Sequence, residues 1–247
     1  MAPKMFEVSF KENYAILSMK CGENRLNPKF LEDFHCALDK IERNKDVQFL
    51  ITTGDGKFYS NGIDLEFLGR CTAEEKLKTI NGFPSAILRL LTFPVPTIAA
   101  LNGHAFAGGG ILALAHDYRV MRTKRGWFCL PEVDLHLQFG KANLLLLRAK
   151  IKDPKILSDA VLMGKRFVAE EALSGGIIQK ICSAEQLLDT AVQMGKEAVG
   201  EKKFKRHFFK EFKTNLYSDI VEAFQRQISN TEESLEVISN FSLSSKL

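Results

Sequence analysis

The chain has 247 residues, 45% of them hydrophobic and 26% charged, enough to bury a substantial core in one α/β domain with appendages. Its apolar runs, such as Ile98 to Leu101 and Leu144 to Leu147, fall far short of the roughly 20 residues of a membrane span. The net charge of +4 comes largely from one local run and not from a whole-chain bias toward nucleic acid.

The first ten residues lack the uninterrupted apolar stretch of a secretory signal, and Glu7 interrupts them. The expected compartment is therefore on the cytosolic side of the secretory pathway. Cys21, Cys36, Cys71, Cys129 and Cys182 are scattered without a C-x-x-C pair and read as reduced, mostly structural residues.

From Phe6 to Met19, two alternating segments around Lys11-Glu12-Asn13 predict a hairpin. Asn27-Pro28 opens a helix with Phe30, Leu31, Phe34, Leu38 and Ile41 at helical spacing, running to about Asn44. Val47 to Thr53 predicts a strand, stopped by Gly54-Asp55-Gly56. Pro94 to Leu101 predicts another, turned at Asn102-Gly103, after which Gly108-Gly109-Gly110 leads into a helix at Ile111 to Ala115. Strand, glycine loop and helix repeated in this way indicate a layered α/β fold. Past Lys141 the pattern is mostly helical, with turns at Asp153-Pro154, Gly164 and Ser174-Gly175-Gly176. Near the C-terminus, Lys202, Lys203, Lys205, Arg206, Lys210 and Lys213 interleave with Phe204, Phe208 and Phe212. That spacing predicts an amphipathic helix burying an aromatic stripe under a solvated basic face, with a nucleotide-phosphate contact as the alternative.

Two glycine loops follow strands, Phe58 to Asp64 and Asn102 to Gly110. Glycine permits close approach and positive φ, and the free amides at a helix start bind anions or a developing oxyanion. One donor from each loop makes a two-point clamp that favours an enolate over the ground-state carbonyl. No G-x-G-x-x-G is present, so a dinucleotide-binding fold ranks low. No His/Asp/Glu set has metal-ligand spacing, and Ser60 lacks a nucleophile-elbow context.

Several segments in order resemble the crotonase, or enoyl-CoA hydratase/isomerase, superfamily across about residues 5 to 185. They are Asn24-Arg25-Leu26-Asn27-Pro28, Lys57 to Asp64, Pro96 to Ala105, Gly108 to Gly110, His116 to Arg119 and Leu130-Pro131-Glu132. The resemblance implies an α/β fold: a crotonase-like spiral of ββα units over 1–190, then a helical C-terminal region over 191–247 used in trimer or hexamer assembly. It further implies an oxyanion hole from the backbone N–H groups of Ile63 and Gly109. Arg25, Leu26, Ser60, Asn61, Gly62 and Asp64 would line the coenzyme A path. The substrate is then an acyl-CoA thioester, with no further cofactor and no metal.

Within that family, hydratases carry an acidic residue two positions after the triple glycine and another in the Pro-Glu segment. Here the first is Leu112. Water addition wants two carboxyl groups, whereas one base can carry a proton from C2 to C4 of a 3-enoyl thioester. The chain therefore looks like a Δ3,Δ2-enoyl-CoA isomerase with Glu132 as its base, in an apolar setting that raises a carboxyl pKa. Glu132-Val133-Asp134 also resembles dienoyl-CoA isomerases, but their further acidic positions are Leu112 and Gly140 here. A hydratase, a thioester hydrolase and a non-catalytic acyl-CoA-binding subunit stay open as alternatives. His104 is expected to hydrogen-bond a backbone group, His116 to sit at a helix end and His136 to lie on a loop. The C-terminal Ser245-Lys246-Leu247 is the tripeptide read by peroxisomal import receptors, so the expected location is the peroxisomal matrix.

Overall fold

The computed structural model describes residues 5–201 and 205–230. The predicted hairpin is present as β1 (Phe6–Phe10) and β2 (Tyr14–Met19). It leads into α1 (Pro28–Arg43), where the Asn27 side chain accepts the Phe30 amide at 3.0 Å and Pro28 supplies a pre-set φ. Pairs of strands followed by helix then repeat. The first repeat is β3 (Phe49–Gly54), β4 (Phe58–Ser60), α2 (Leu65–Arg70) and α3 (Ala73–Leu91). The second is β5 (Thr97–Leu101), β6 (His104–Phe106) and α4 (Gly108–Leu114). The third is β7 (Tyr118–Arg122), β8 (Phe128–Cys129), a 3-10 turn at Pro131–Val133 and α5 (Lys141–Lys150). Then come α6 (Pro154–Val161), α7 (Ala169–Ser174), β9 (Lys180–Cys182), α8 (Leu187–Val199), α9 (Arg206–Leu216) and α10 (Ser218–Ser229). None of the described helices is long and apolar enough to cross a membrane.

The first strand of each repeat joins a six-stranded sheet in the order β1-β2-β3-β5-β7-β9, parallel from β2 onward. The second strand joins a separate parallel sheet, β4-β6-β8. Each repeat thus adds one strand to each sheet, which is the spiral of ββα units that the family resemblance implies. Covered on both faces, β3 and β5 are apolar and buried almost throughout. Alternate residues serve opposite faces. Phe49, Ile51, Ile98, Ala100 and Val120 meet Leu187, Ala191 and Met194 of α8. Leu50, Ala99, Leu101 and Met121 face the main core with α1, α3 and α4. The close approach of α8 depends on Gly195, where a methyl group would stand 2.2 Å from the Phe49 ring.

Two expectations fail at the C-terminal end, and a third fails at His104. Among the described residues of the proposed aromatic stripe, Phe208 is 49% and Phe212 is 71% exposed, while Lys213, assigned to the solvated face, is 4% exposed. The inward face of α9 carries Phe209 and Lys213 instead, with Tyr217 at its C-cap, because Lys213 forms an ion pair with Asp117 at 2.7 Å and bonds the Phe93 carbonyl at 3.2 Å. Helical spacing fixes which residues share a face and leaves open which face meets the core. His104 packs among the rings of Phe58, Phe106 and Trp127, and its Nδ1 is buried without a hydrogen-bond partner. Aromatic packing, and not a bond from that nitrogen to the backbone, holds it. Lys202, Lys203, Phe204 and Ser245-Lys246-Leu247 lie outside the described residues.

Candidate active site

The two glycine loops meet. Leu26 donates its N–H to Gly62 O at 2.8 Å and accepts from Asp64 N at 3.0 Å, a parallel bridge that brackets Ile63. In such a bridge the bracketed residue turns its own N–H and C=O to the opposite side, so the Ile63 amide faces away from Leu26. Across from it starts α4, whose first residues, Gly108 and Gly109, have amides with no carbonyl one helical turn earlier to accept them. The chain reaches this start through Ala107, held at φ 49 and ψ −126, a sparsely populated conformation for a residue with a side chain.

Glycine is required where the loops touch. At Gly62, with φ 76, a methyl group would stand 2.9 Å from Ala107 Cβ, Gly108 N and Phe106 O. At Gly109 it would stand 2.3 Å from Ser60 O. A buried relay ties the same loops to the sheet: Tyr59 Oη lies 2.8 Å from Thr52 Oγ1, which lies 2.9 Å from His116 Nε2. His116 Nδ1 is 2.9 Å from Leu112 O. A carbonyl only accepts, so Nδ1 carries the proton, Nε2 accepts from Thr52, and Thr52 accepts from Tyr59. Burial pushes the His116 pKa down to about 3 and keeps the ring neutral.

Beside these loops lies a cavity of about 340 Å³. Ile63, Ala107, Gly108 and Ile111 form one wall, with Ile80 and Phe83 from α3, Asn143 from α5 and Gln227 from α10. Glu132 enters from the 3-10 turn that Pro131 starts, and its main-chain carbonyl accepts Leu137 N at 2.9 Å as the following loop folds back. Its side chain is 8% exposed, and Oε2 has no hydrogen-bond partner. Burial therefore raises its pKa to about 7, partly opposed by a backbone hydrogen bond. Among the described residues it is the one carboxylate that lines the cavity.

Of the residues singled out from sequence, Glu132, Ile63, Arg25 and Asn61 line this cavity. Arg25 and Asn61 are both held by Glu23 Oε2, at 2.6 and 2.9 Å. Gly109 follows the lining residue Gly108 in the chain without itself belonging to the lining, and it packs on Ser60. Leu26, Ser60, Gly62 and Asp64 do not belong to the lining and frame it. Ser60 Oγ donates to Asn24 O at 2.7 Å and accepts from Gly62 N at 3.2 Å. Asp64 caps α2 by accepting Phe67 N at 3.0 Å. Leu112 is buried in the main core, and the lining positions on α4 belong to Gly108 and Ile111. His136 is exposed and outside the lining. Asn143 and Gln227 were not anticipated. An amide on an otherwise apolar helical face is the signal that marks them.

The enoyl-CoA hydratase/isomerase family model matches residues 12–239. Enoyl-CoA delta isomerase 2, peroxisomal, of Arabidopsis thaliana is 35% identical over 207 residues, 81% of this chain and 86% of the relative. Enoyl-CoA delta isomerase 1, peroxisomal, of the same plant is 35% identical over 181 residues, 72% of this chain and 75% of the relative. The human mitochondrial delta3-delta2-enoyl-CoA isomerase shares the fold with a TM-score of 0.83, covering 98% of this chain and 97% of its own at 21% identity. By its spiral of ββα units, its paired glycine loops and these matches, the chain belongs to the enoyl-CoA hydratase/isomerase family.

Proposed function

We propose that this chain is a Δ3,Δ2-enoyl-CoA isomerase that converts a 3-enoyl thioester to the trans-2-enoyl thioester. The observation that carries the reading is Glu132, the single carboxylate lining the cavity among the described residues, buried and raised to a pKa of about 7. The ionised carboxylate takes a proton from C2. The resulting enolate oxygen is held by the N–H groups of Ile63 and Gly109, an arrangement worth most where charge develops. The protonated Glu132 then returns the proton to C4 as the double bond shifts from C3=C4 to C2=C3. One proton moves, and no water is added. A base with a pKa near working pH suits both halves of this transfer. The names of the two Arabidopsis relatives support the same reaction.

Arg25 and Asn61 at the cavity edge suit the polar coenzyme A portion of the thioester. Ser245-Lys246-Leu247, with two relatives named peroxisomal, supports import into the peroxisomal matrix by a receptor that reads this tripeptide. There the reaction would serve β-oxidation of unsaturated fatty acids. The exposed Phe208, Phe212 and Leu216 on α9 support assembly into a homotrimer or hexamer.

The test is proton exchange in deuterated solvent with 3-enoyl-CoA, for the wild type and Glu132→Gln. We expect deuterium at C2 or C4 and a 2-enoyl product from the wild type, and turnover lower by roughly 10²–10⁴ in the variant with acyl-CoA still bound. Full activity of Glu132→Gln, or a 3-hydroxy product as the main outcome, would refute the reading.

A further inference from the structure

Asn143 presents an amide to the same cavity that Glu132 enters, and its Oδ1 is buried with no hydrogen-bond partner. Interior polar atoms are almost always paired, so an orphan in a cavity wall calls for an explanation. Gln227, 8% exposed, stands on the neighbouring wall with its amide 3.8 to 3.9 Å from where a methyl group on Gly140 would lie. The two amides come from α5 and α10, which pack against each other. The same lining includes the apolar Ile80, Phe83 and Phe139 and one further amide, Gln138.

The position along the substrate follows from the rest of the site and rests on the isomerase reading. The thioester oxygen lies at Ile63 and Gly109, C2 to C4 lie at Glu132, and the coenzyme A portion leaves past Arg25 and Asn61. The α5/α10 wall is left for the outer part of the acyl chain. An alkyl tail there would seal the Asn143 amide away from water without a partner, which is how a site rejects an analogue lacking the group it was built to bond. A hydroxyl both donates and accepts, so it satisfies either end of an amide, whichever way the amide is turned.

We propose that Asn143, with Gln227 beside it, is a specificity-determining pair that selects acyl-CoA thioesters bearing a hydroxyl on the outer half of the acyl chain.

The test uses the full chain and saturated thioesters, so that it does not depend on turnover. The affinities of octanoyl-CoA and of its monohydroxylated isomers, with the hydroxyl on successive outer carbons, are measured by calorimetry for the wild type, Asn143→Leu and Gln227→Leu. At least one hydroxylated isomer is expected to bind the wild type about tenfold tighter than octanoyl-CoA. Asn143→Leu should abolish that preference while binding octanoyl-CoA no more weakly and melting no lower than the wild type, since it removes an unpaired polar group. A merely structural asparagine would instead lower the melting temperature and weaken all ligands together, which overturns the proposal. If no isomer exceeds octanoyl-CoA on the wild type, Asn143 holds only a water molecule, and the proposal falls even if the variants do not fold. A hydroxyl preference in a protein without isomerase activity would leave this inference standing and refute the proposed reaction. Failure of octanoyl-CoA itself to bind would refute both.

Discussion

Gly109 packs on Ser60 so closely that one added methyl group would stand 2.3 Å from the Ser60 carbonyl oxygen and 2.7 Å from its carbonyl carbon. Both are backbone atoms, so rotation of a flexible side chain cannot relieve the clash. Gly109→Ala must therefore push the start of α4 away from the strand-end loop that carries Ile63. We expect a loss of stability of about 1–3 kcal/mol and, on the proposed mechanism, in which these amides hold the enolate oxygen of the transition state, a fall in turnover of roughly 10²–10³. Steady-state kinetics with 3-enoyl-CoA check this: kcat should fall far more than acyl-CoA affinity.

The sequence shows this contact only as two glycine loops after strands, because the clash involves backbone that no pattern reports. What was legible had local signatures: the Asn27-Pro28 start of α1, the hairpin, the glycine loops and Glu132 in an apolar segment. The strands β4, β6 and β8, at two to three residues, are too short for alternation to register. The helix α3 is not among the elements predicted from the sequence, although its start carries the Thr72/Glu75 capping box, and Ile80 and Phe83 of the cavity are missed with it. Asn143 and Gln227 reach the site from helices far along the chain, and their convergence is tertiary information. Leu112 removes the carboxylate a hydratase would carry at that position, yet its side chain packs into the core beside Ile111, which lines the cavity.

Glu132 predicts a pH profile of definite sign. With burial raising its pKa to about 7, the carboxylate that the proposed mechanism uses as its base predominates only above that value. kcat/KM should therefore rise with pH through about 7 and level off. Stability runs the other way. The folded pKa is above the unfolded one near 4.5, so this group's contribution is fully present below about 4.5 and is lost as pH rises through about 7, amounting to roughly 3 kcal/mol. Glu132→Gln should abolish both dependences, and a profile unchanged in the variant would assign them elsewhere.

His116 acts with the opposite sign. Its folded pKa of about 3 lies below the ordinary 6.5, so its stabilising contribution is present above 6.5 and is lost as pH falls toward 3. Between about 4.5 and 6.5 the two groups offset each other. Glu132→Gln, which removes only one of them, should therefore be more acid-sensitive in that window than the wild type. Urea titrations at a series of pH values measure it. Independently, His116→Ala leaves Thr52 and the Leu112 carbonyl without their partner and opens a cavity, so we expect a loss of about 3 kcal/mol near neutral pH.

Lys213 and Asp117 form a buried pair at 2.7 Å, and Asp117 also accepts Thr97 N at 2.8 Å. Burial lowers the Lys213 pKa, and the neighbouring Asp117 opposes that shift. Removing one partner leaves an uncompensated charge, so Lys213→Met should cost about 3–5 kcal/mol. Adding Asp117→Asn should recover part of that loss, because the remaining charge goes too. A denaturation cycle over the two single variants and the double variant measures the coupling, and simple additivity would contradict an ion pair that fastens α9 to the sheet.

The outward face of α9 carries Phe208, Phe212 and Leu216, with Phe212 71% and Leu216 72% exposed. They are spaced four residues apart and so form one stripe along the helix, while Lys213 on the inward face holds the helix in place. Exposed apolar stripes of this kind mark interaction surfaces, and the assembly proposed above would cover this one. Phe212→Glu places a charge in the middle of the stripe without touching the Lys213–Asp117 pair. It should shift the protein toward the monomer in sedimentation while leaving the monomer's fold, read by circular dichroism, unchanged. An unaltered sedimentation coefficient would mean that the subunits meet elsewhere or that the chain acts alone.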